Sequence, residues 1–339
     1  MGSVEDRTLQ RNSNIELLRM LCIVGIIGMH ILRPFFETQD VVKTEFILLW
    51  NTFANAGVTI FILISGYYGI RFKWERLFSL ITIFFFYSVI TCVLELSILH
   101  HPFDGKMLLK SVFPVLSKKY WFITCYVILY AISPFVNKGV EVMRQVHFKW
   151  LLVTLVLFFI IAPTCLITEI MGDNGKGIVN MLLAYLTGRY LAKYNFPKII
   201  KRHAVLWMVL CFVIVFSLNS VVSIFVKHHV FLQFARDNSA FIFLSSICVF
   251  YCFLQKNFYS SFINKLANYV FSVYIIHGFL IKVFQVREDH FFTSFVIVIL
   301  LACTISVAIE FLRRMALGKV FDKIVGLMIT VKDKVSEKI

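Results

Sequence analysis

Acidic residues are scarce in this sequence. Nineteen Asp and Glu stand against 34 Lys and Arg, and charged residues of both signs fill only 16% of the 339 positions. A soluble domain carries roughly a quarter charged residues, so an ordinary soluble fold is excluded. The eight cysteines (Cys22, Cys92, Cys125, Cys165, Cys211, Cys248, Cys252, Cys303) include no CxxC pair, and Cys248 and Cys252 are simply one helical turn apart. All fall in apolar segments, where a free thiol packs as a small hydrophobe, so no catalytic or metal-binding cysteine is expected. No internal repeat, linker or low-complexity tract is present. The first apolar stretch has no small-residue cleavage site and runs into Arg33-Pro34, which reads as a retained helix and not a signal peptide.

What the chain does contain is apolar length. Hydrophobic residues make up 59% of it and the mean hydropathy is +0.82. Runs of about twenty such residues, the length that spans the hydrocarbon core, recur from end to end. The expected fold is all-α: a polytopic integral membrane protein with about ten transmembrane helices, near 15–32, 46–68, 77–99, 120–137, 150–168, 177–192, 204–226, 238–254, 265–286 and 291–312. The sixth is the shortest and is flanked by glycine. A cytoplasmic segment (1–14), a transmembrane domain (15–312) and a basic, amphipathic, surface-lying tail (313–339) follow from this pattern.

The net charge of +15 would suit a nucleic-acid partner, but the basic residues sit in short loops and the tail. That distribution instead records topology and attraction to anionic lipid headgroups. With the N-terminus inside, inner segments hold 22 Lys and Arg and outer loops 10, so both termini are expected in the cytoplasm. The 37 Phe residues suit lipid contact and packing and are assigned no chemistry.

Ionisable residues inside spans are costly and are functional hypotheses by default. Arg19 and His30 lie eleven positions apart on the first helix. At 100° per residue they are about 20° from alignment, and at 1.5 Å per residue roughly 16 Å apart along the axis. One face therefore carries an arginine near the inner end and a histidine deep in the membrane. The plainer alternative is an arginine reaching to lipid phosphates and a satisfied core histidine. Glu16, one turn from Arg19, can orient it. After the second span come Ser65-Gly66-Tyr67 and then Arg71, Lys73 and Arg76, a basic patch at a helix start that suits phosphate groups, or else the usual inside signal. The fourth span opens at Tyr120-Trp121 and ends at Ser133-Pro134, aromatics that otherwise form an interfacial belt. The ninth carries a second intramembrane histidine, His277. Glu310 precedes Arg313 and Arg314 by three and four residues, as an intrahelical ion pair does. Glu95 lies near a span end. His100, His101, His228, His229 and His290 fall in outer loops at no recognisable ligand spacing, and no metal site is expected.

These blocks resemble, in order, those of the acyltransferase-3 family, in particular the bacterial branch that O-acetylates surface polysaccharides. Its Arg-x10-His signature matches Arg19 and His30, and its Ser-Gly-aromatic segment matches Ser65-Gly66-Tyr67. The basic element matches Lys73 and Arg76, the Tyr-Trp-Phe…Leu-Tyr…Ser-Pro block matches 120–134, and Tyr-Ile-Ile-His matches 274–277. Together they run over residues 14–277. One departure is Lys73, where many members have arginine; the charge is kept and the bidentate geometry lost.

The resemblance implies an acyl group, acetyl by family habit, taken from acetyl-CoA at the cytoplasmic face of the inner membrane and delivered to a glycan hydroxyl. His30 is then the general base or a transient acyl acceptor. Arg19, Lys73, Arg76 and Arg71 face the anionic donor or the thioester oxygen. Glu16, Ser65, Tyr120, Trp121 and His277 support the site, with an interhelical hydrogen bond the leading expectation for His277. Membrane lipid, a glycan acceptor and polysaccharide assembly proteins are the implied partners. Relatives often carry a further soluble domain; with 27 residues after the last span, none is expected here. Two other readings remain: a glycan or acyl-precursor transporter or flippase, which should show repeats and broken helices, and an inactive scaffold subunit.

Overall fold

The computed structural model describes residues 12–225 and 230–336. His228 and His229, the N-terminal arginines Arg7 and Arg11, and the end of the tail lie outside them. The described chain is helical, with no strand: α1 (Ser13–Leu32), α2 (Val41–Ala54), α3 (Ala56–Tyr68), α4 (Trp74–Ser97), α5 (Gly105–Val112), α6 (Trp121–Val142), α7 (Gln145–Val156), α8 (Ala162–Leu166), α9 (Ile178–Tyr194), α10 (Lys198–Phe225), α11 (Ala240–Leu254), α12 (Ser261–Leu266), α13 (Val270–Val283) and α14 (Phe291–Ser336). Nine stretches among these residues are long and apolar enough to cross a membrane. The protein is a polytopic, all-α membrane protein. The expected sixth helix is α9, 17 residues long and largely buried.

Local chemistry explains the deviations from straight spans. The second stretch turns at Asn55 and becomes two helices, α2 and α3. Between α7 and α8 the chain widens into a π-helical turn, Leu157–Ile161, just before Pro163, which cannot donate to the preceding turn. Pro134 does not end α6. Its missing N–H would orphan the Tyr130 carbonyl, but the Ser133 hydroxyl donates to that oxygen at 2.7 Å. α14 continues unbroken through Arg313 to Ser336, and its second half lies along α4, with Phe321 against Phe86 at 5.3 Å.

α1 is the central helix. Its start is tied down by Asn12, which caps Asn14 N–H, and by Ser13, whose hydroxyl meets Asn264 and the Ser260 N–H. It packs on α2, α3, α13 and α14. α3 and α9 approach each other closely. A Cβ on Gly66 would overlap the Tyr185 carbonyl, and one on Gly188 would overlap that of Leu63. Small residues at these two positions let the backbones approach, the usual device for joining helices in lipid.

Candidate active site

α1 places its two marked residues in different cavities. Arg19 lines one of about 290 Å³ with Ser65, Phe122, Tyr126 and Tyr274. Its Nη1 donates to Glu16 Oε1 at 3.2 Å, and Glu16 is itself buried. His30 lines a cavity of about 310 Å³ at the other end of the helix, with Asn51, Asn55, Arg33, Lys176 and Arg236 on its wall. It also borders a second space, of about 610 Å³, that includes His101 and Lys282.

Between the two ends stands His277. Its ring lies beside that of His30, centroids 5.3 Å apart and planes 42° apart. Tyr274, one turn earlier on α13, is 5.6 Å from His277 and 5.2 Å from Phe122. A continuous run of rings therefore leads from the Arg19 cavity to the His30 cavity. The interhelical hydrogen bond expected of His277 is not what binds it. Its Nδ1 lies 3.3 Å from the Val273 carbonyl of its own helix, and its contact with α1 is ring to ring. A carbonyl only accepts, so a hydrogen bond there requires the proton on Nδ1.

The basic loop after α3 is held from below. Tyr130 Oη accepts from Lys73 N–H at 3.0 Å. Tyr185 Oη accepts from Ile70 N–H at 3.1 Å and donates to Asn137 at 2.7 Å, while the Asn137 amide returns to the Ile70 carbonyl at 3.0 Å. The turn opens at Gly69, with φ at +73°, and the Arg189 guanidinium packs where a side chain would sit. Arg71, Lys73 and Arg76 are all exposed on or just after this loop. Arg76 lines a cavity with Arg314, and that cavity shares Leu80, Asn268 and Phe271 with the Arg19 cavity. Arg71 and Lys73 line neither.

Other expected residues find structural places. Ser65 donates to Phe61 of its own helix at 3.0 Å while bordering the Arg19 cavity. Tyr120 meets Thr91 at 3.5 Å and packs on Phe84, and Trp121 packs beside Phe122; neither reaches these cavities. Glu310 accepts from Arg313, Arg314 and Tyr87, which ties α4 to α14. Glu95 meets Lys282 at 2.6 Å. Among the described residues no three His, Cys, Asp or Glu stand together as metal ligands would.

Several wall residues went unread in the sequence. Asn51 and Asn55 are one turn apart in an apolar stretch, which is a legible polar signal. Lys176 and Arg236 come from separate loops and offer no pattern. Those loops are latched together by Glu169, which accepts from Asn174 N–H at 2.8 Å, Asn238 at 3.0 Å and Arg236 at 3.1 Å. Burial alone would raise the Glu169 carboxyl, but these donors outweigh it and hold the group below its ordinary 4.5.

The family model for the acyltransferase domain of the acyltransferase-3 family matches residues 12–311, which takes in Arg19, His30, His277 and the walls of the cavities that Arg19 and His30 line. No curated protein and no solved structure matches the chain. With an intramembrane histidine pair between two cavities and a match over most of its length, the chain belongs to the acyltransferase-3 family and is a multi-pass membrane acyltransferase.

Proposed function

We propose that the protein moves an acetyl group from acetyl-CoA to a hydroxyl of a cell-surface or lipid-linked glycan, with the Arg19 end in the cytoplasm. The observation that carries this reading is the adjacency of His30 and His277 between a cavity marked by Arg19 and one open at the far end of α1. A hydroxyl needs a base near neutral pKa to become a nucleophile, and imidazole supplies one. In the reaction the acceptor oxygen bonds to the thioester carbon and the C–S bond breaks. The hydroxyl proton passes to an imidazole nitrogen and from there to the departing sulfur. His30 is the base in this scheme, or takes the acetyl group first and passes it on. With the proton on Nδ1, the lone pair on His277 Nε2 makes it the neighbouring proton acceptor. Arg19, oriented by Glu16, faces the anionic donor, and Arg76 with the Arg71–Lys73 loop attracts its phosphates.

The excess of basic residues at the Arg19 end supports the assignment of that face to the cytoplasm. The test is transfer itself. Purified protein in liposomes is given radiolabelled acetyl-CoA outside and a mixed surface-glycan extract. Label appearing in the glycan fraction together with free CoA is the expected result. Glycan or donor crossing the membrane with the thioester intact would favour the transporter instead.

A further inference from the structure

We infer that the acceptor held in the His30 cavity is negatively charged, a glycan unit carrying a carboxylate or a phosphate. The inference rests on the acyltransferase reading for the word acceptor, and on the cavity alone for its charge. Three cations from three segments converge on its wall: Arg33 just after α1, Lys176 before α9 and Arg236 before α11. No carboxylate lines it.

Of the nearby acids, one neutralises a wall cation and two lie off the wall. Glu169 pairs with Arg236 at 3.1 Å from outside the wall. Asp173 accepts from Gly175 N–H within its own loop. Asp237 is buried, 3% exposed, and is not part of the wall. Among the described residues neither Arg33 nor Lys176 has an ion-pair partner.

Membrane topology does not account for the cluster. Outer loops are the side on which Lys and Arg are sparse, and here Arg33 and Lys176 meet around one histidine beside Arg236, which Glu169 already pairs. Like charges gathered in a recess repel, and an anion bound there relieves the repulsion. The remaining polar wall suits a sugar. Asn51 and Asn55 donate their amide N–H groups to the Ile47 and Asn51 carbonyls at 2.8 and 3.0 Å. Their carboxamide oxygens are thereby left as acceptors, and hydroxyls are the donors that match them. The volume, about 310 Å³, lies near the lower bound of small-ligand sites, about 300 Å³, and suits a unit of sugar size.

Binding measured without any donor separates this inference from the transfer reaction. Full-length protein in zwitterionic nanodiscs is titrated with trigalacturonate, glucose 1-phosphate and maltotriose. The anionic probes are expected to bind at least roughly tenfold more tightly than maltotriose, and the preference is expected to shrink as ionic strength rises to about 0.5 M. Whichever anion binds better tells carboxylate from phosphate. Arg33→Gln combined with Lys176→Gln should bring the anionic probes down to the level of maltotriose, and Lys176→Arg should keep the preference. Both side chains are exposed, and an unchanged thermal midpoint checks that the variants fold. Equal binding of neutral and anionic probes, or a preference that survives the double substitution, overturns the inference and leaves the donor chemistry standing. Anion preference in a protein that never moves label from acetyl-CoA would instead overturn the transfer reading alone.

Discussion

The ring of His30 on α1 lies against the ring of His277 on α13, with centroids 5.3 Å apart, and His277 turns its Nδ1 to the Val273 carbonyl. One histidine thus faces the cavities while the second stands behind it.

If the second ring takes part in proton movement, His277→Gln lowers kcat by about 10²–10⁴, the usual range for a lost acid–base group, with little change in KM for acetyl-CoA. A pH–rate profile that loses one limb in the variant supports this. A fall in thermal midpoint with kcat preserved would make His277 a packing residue.

Tyr130 holds the basic loop through the Lys73 N–H, and on the proposed reading it shapes the donor side without touching the donor. Tyr130→Phe removes the bond accepted from Lys73 N–H, worth about 1 kcal/mol, and the longer one shared between the Arg71 and Lys73 carbonyls. The expected result is a rise of roughly fivefold in KM for acetyl-CoA with the acceptor KM unchanged, read from initial rates.

Two glycines should respond in opposite ways. Gly66→Ala drives a methyl into the Tyr185 carbonyl, and overpacking of this kind costs about 1–3 kcal/mol. Gly318 on α14 has open space around its Cβ position, so Gly318→Ala gains helix propensity, up to about 1 kcal/mol. Thermal unfolding in detergent compares them directly.

The Glu169 latch gives a pH dependence. Its folded pKa lies below 4.5, so its stabilising contribution is fully present above that value and disappears as pH falls through the folded pKa. Wild type should unfold at a higher temperature than Glu169→Gln near neutrality, and the gap should close in acid. A gap that stays constant with pH would show that the carboxylate's charge is irrelevant there.

Much of this was legible in the residues. A run of twenty apolar side chains has one low-energy solution in lipid, so the spans emerge from composition alone. Arg19 and His30 share a stripe because helical periodicity is fixed, and the structure indeed sets them at opposite ends of one helix. The meeting of α13 with α1 was not legible, because packing between helices depends on shape and leaves no periodic trace. Likewise Lys176 and Arg236 come from loops 60 positions apart, drawn together by contacts such as those of Glu169 with Asn174, Asn238 and Arg236. Pro134 reads as a helix end until the Ser133 hydroxyl is seen to replace the lost donor. Asn55 interrupts the expected second span, whose two helices still form one apolar stretch, Val41–Tyr68.

The most direct test of the whole account compares wild type with His30→Ala in liposomes supplied with radiolabelled acetyl-CoA and a surface-glycan extract, following CoA release and label in the glycan. The account predicts release and transfer by wild type and loss of both in the variant. Equal rates in the two proteins would contradict it, leaving His30 a structural residue and the chemistry elsewhere.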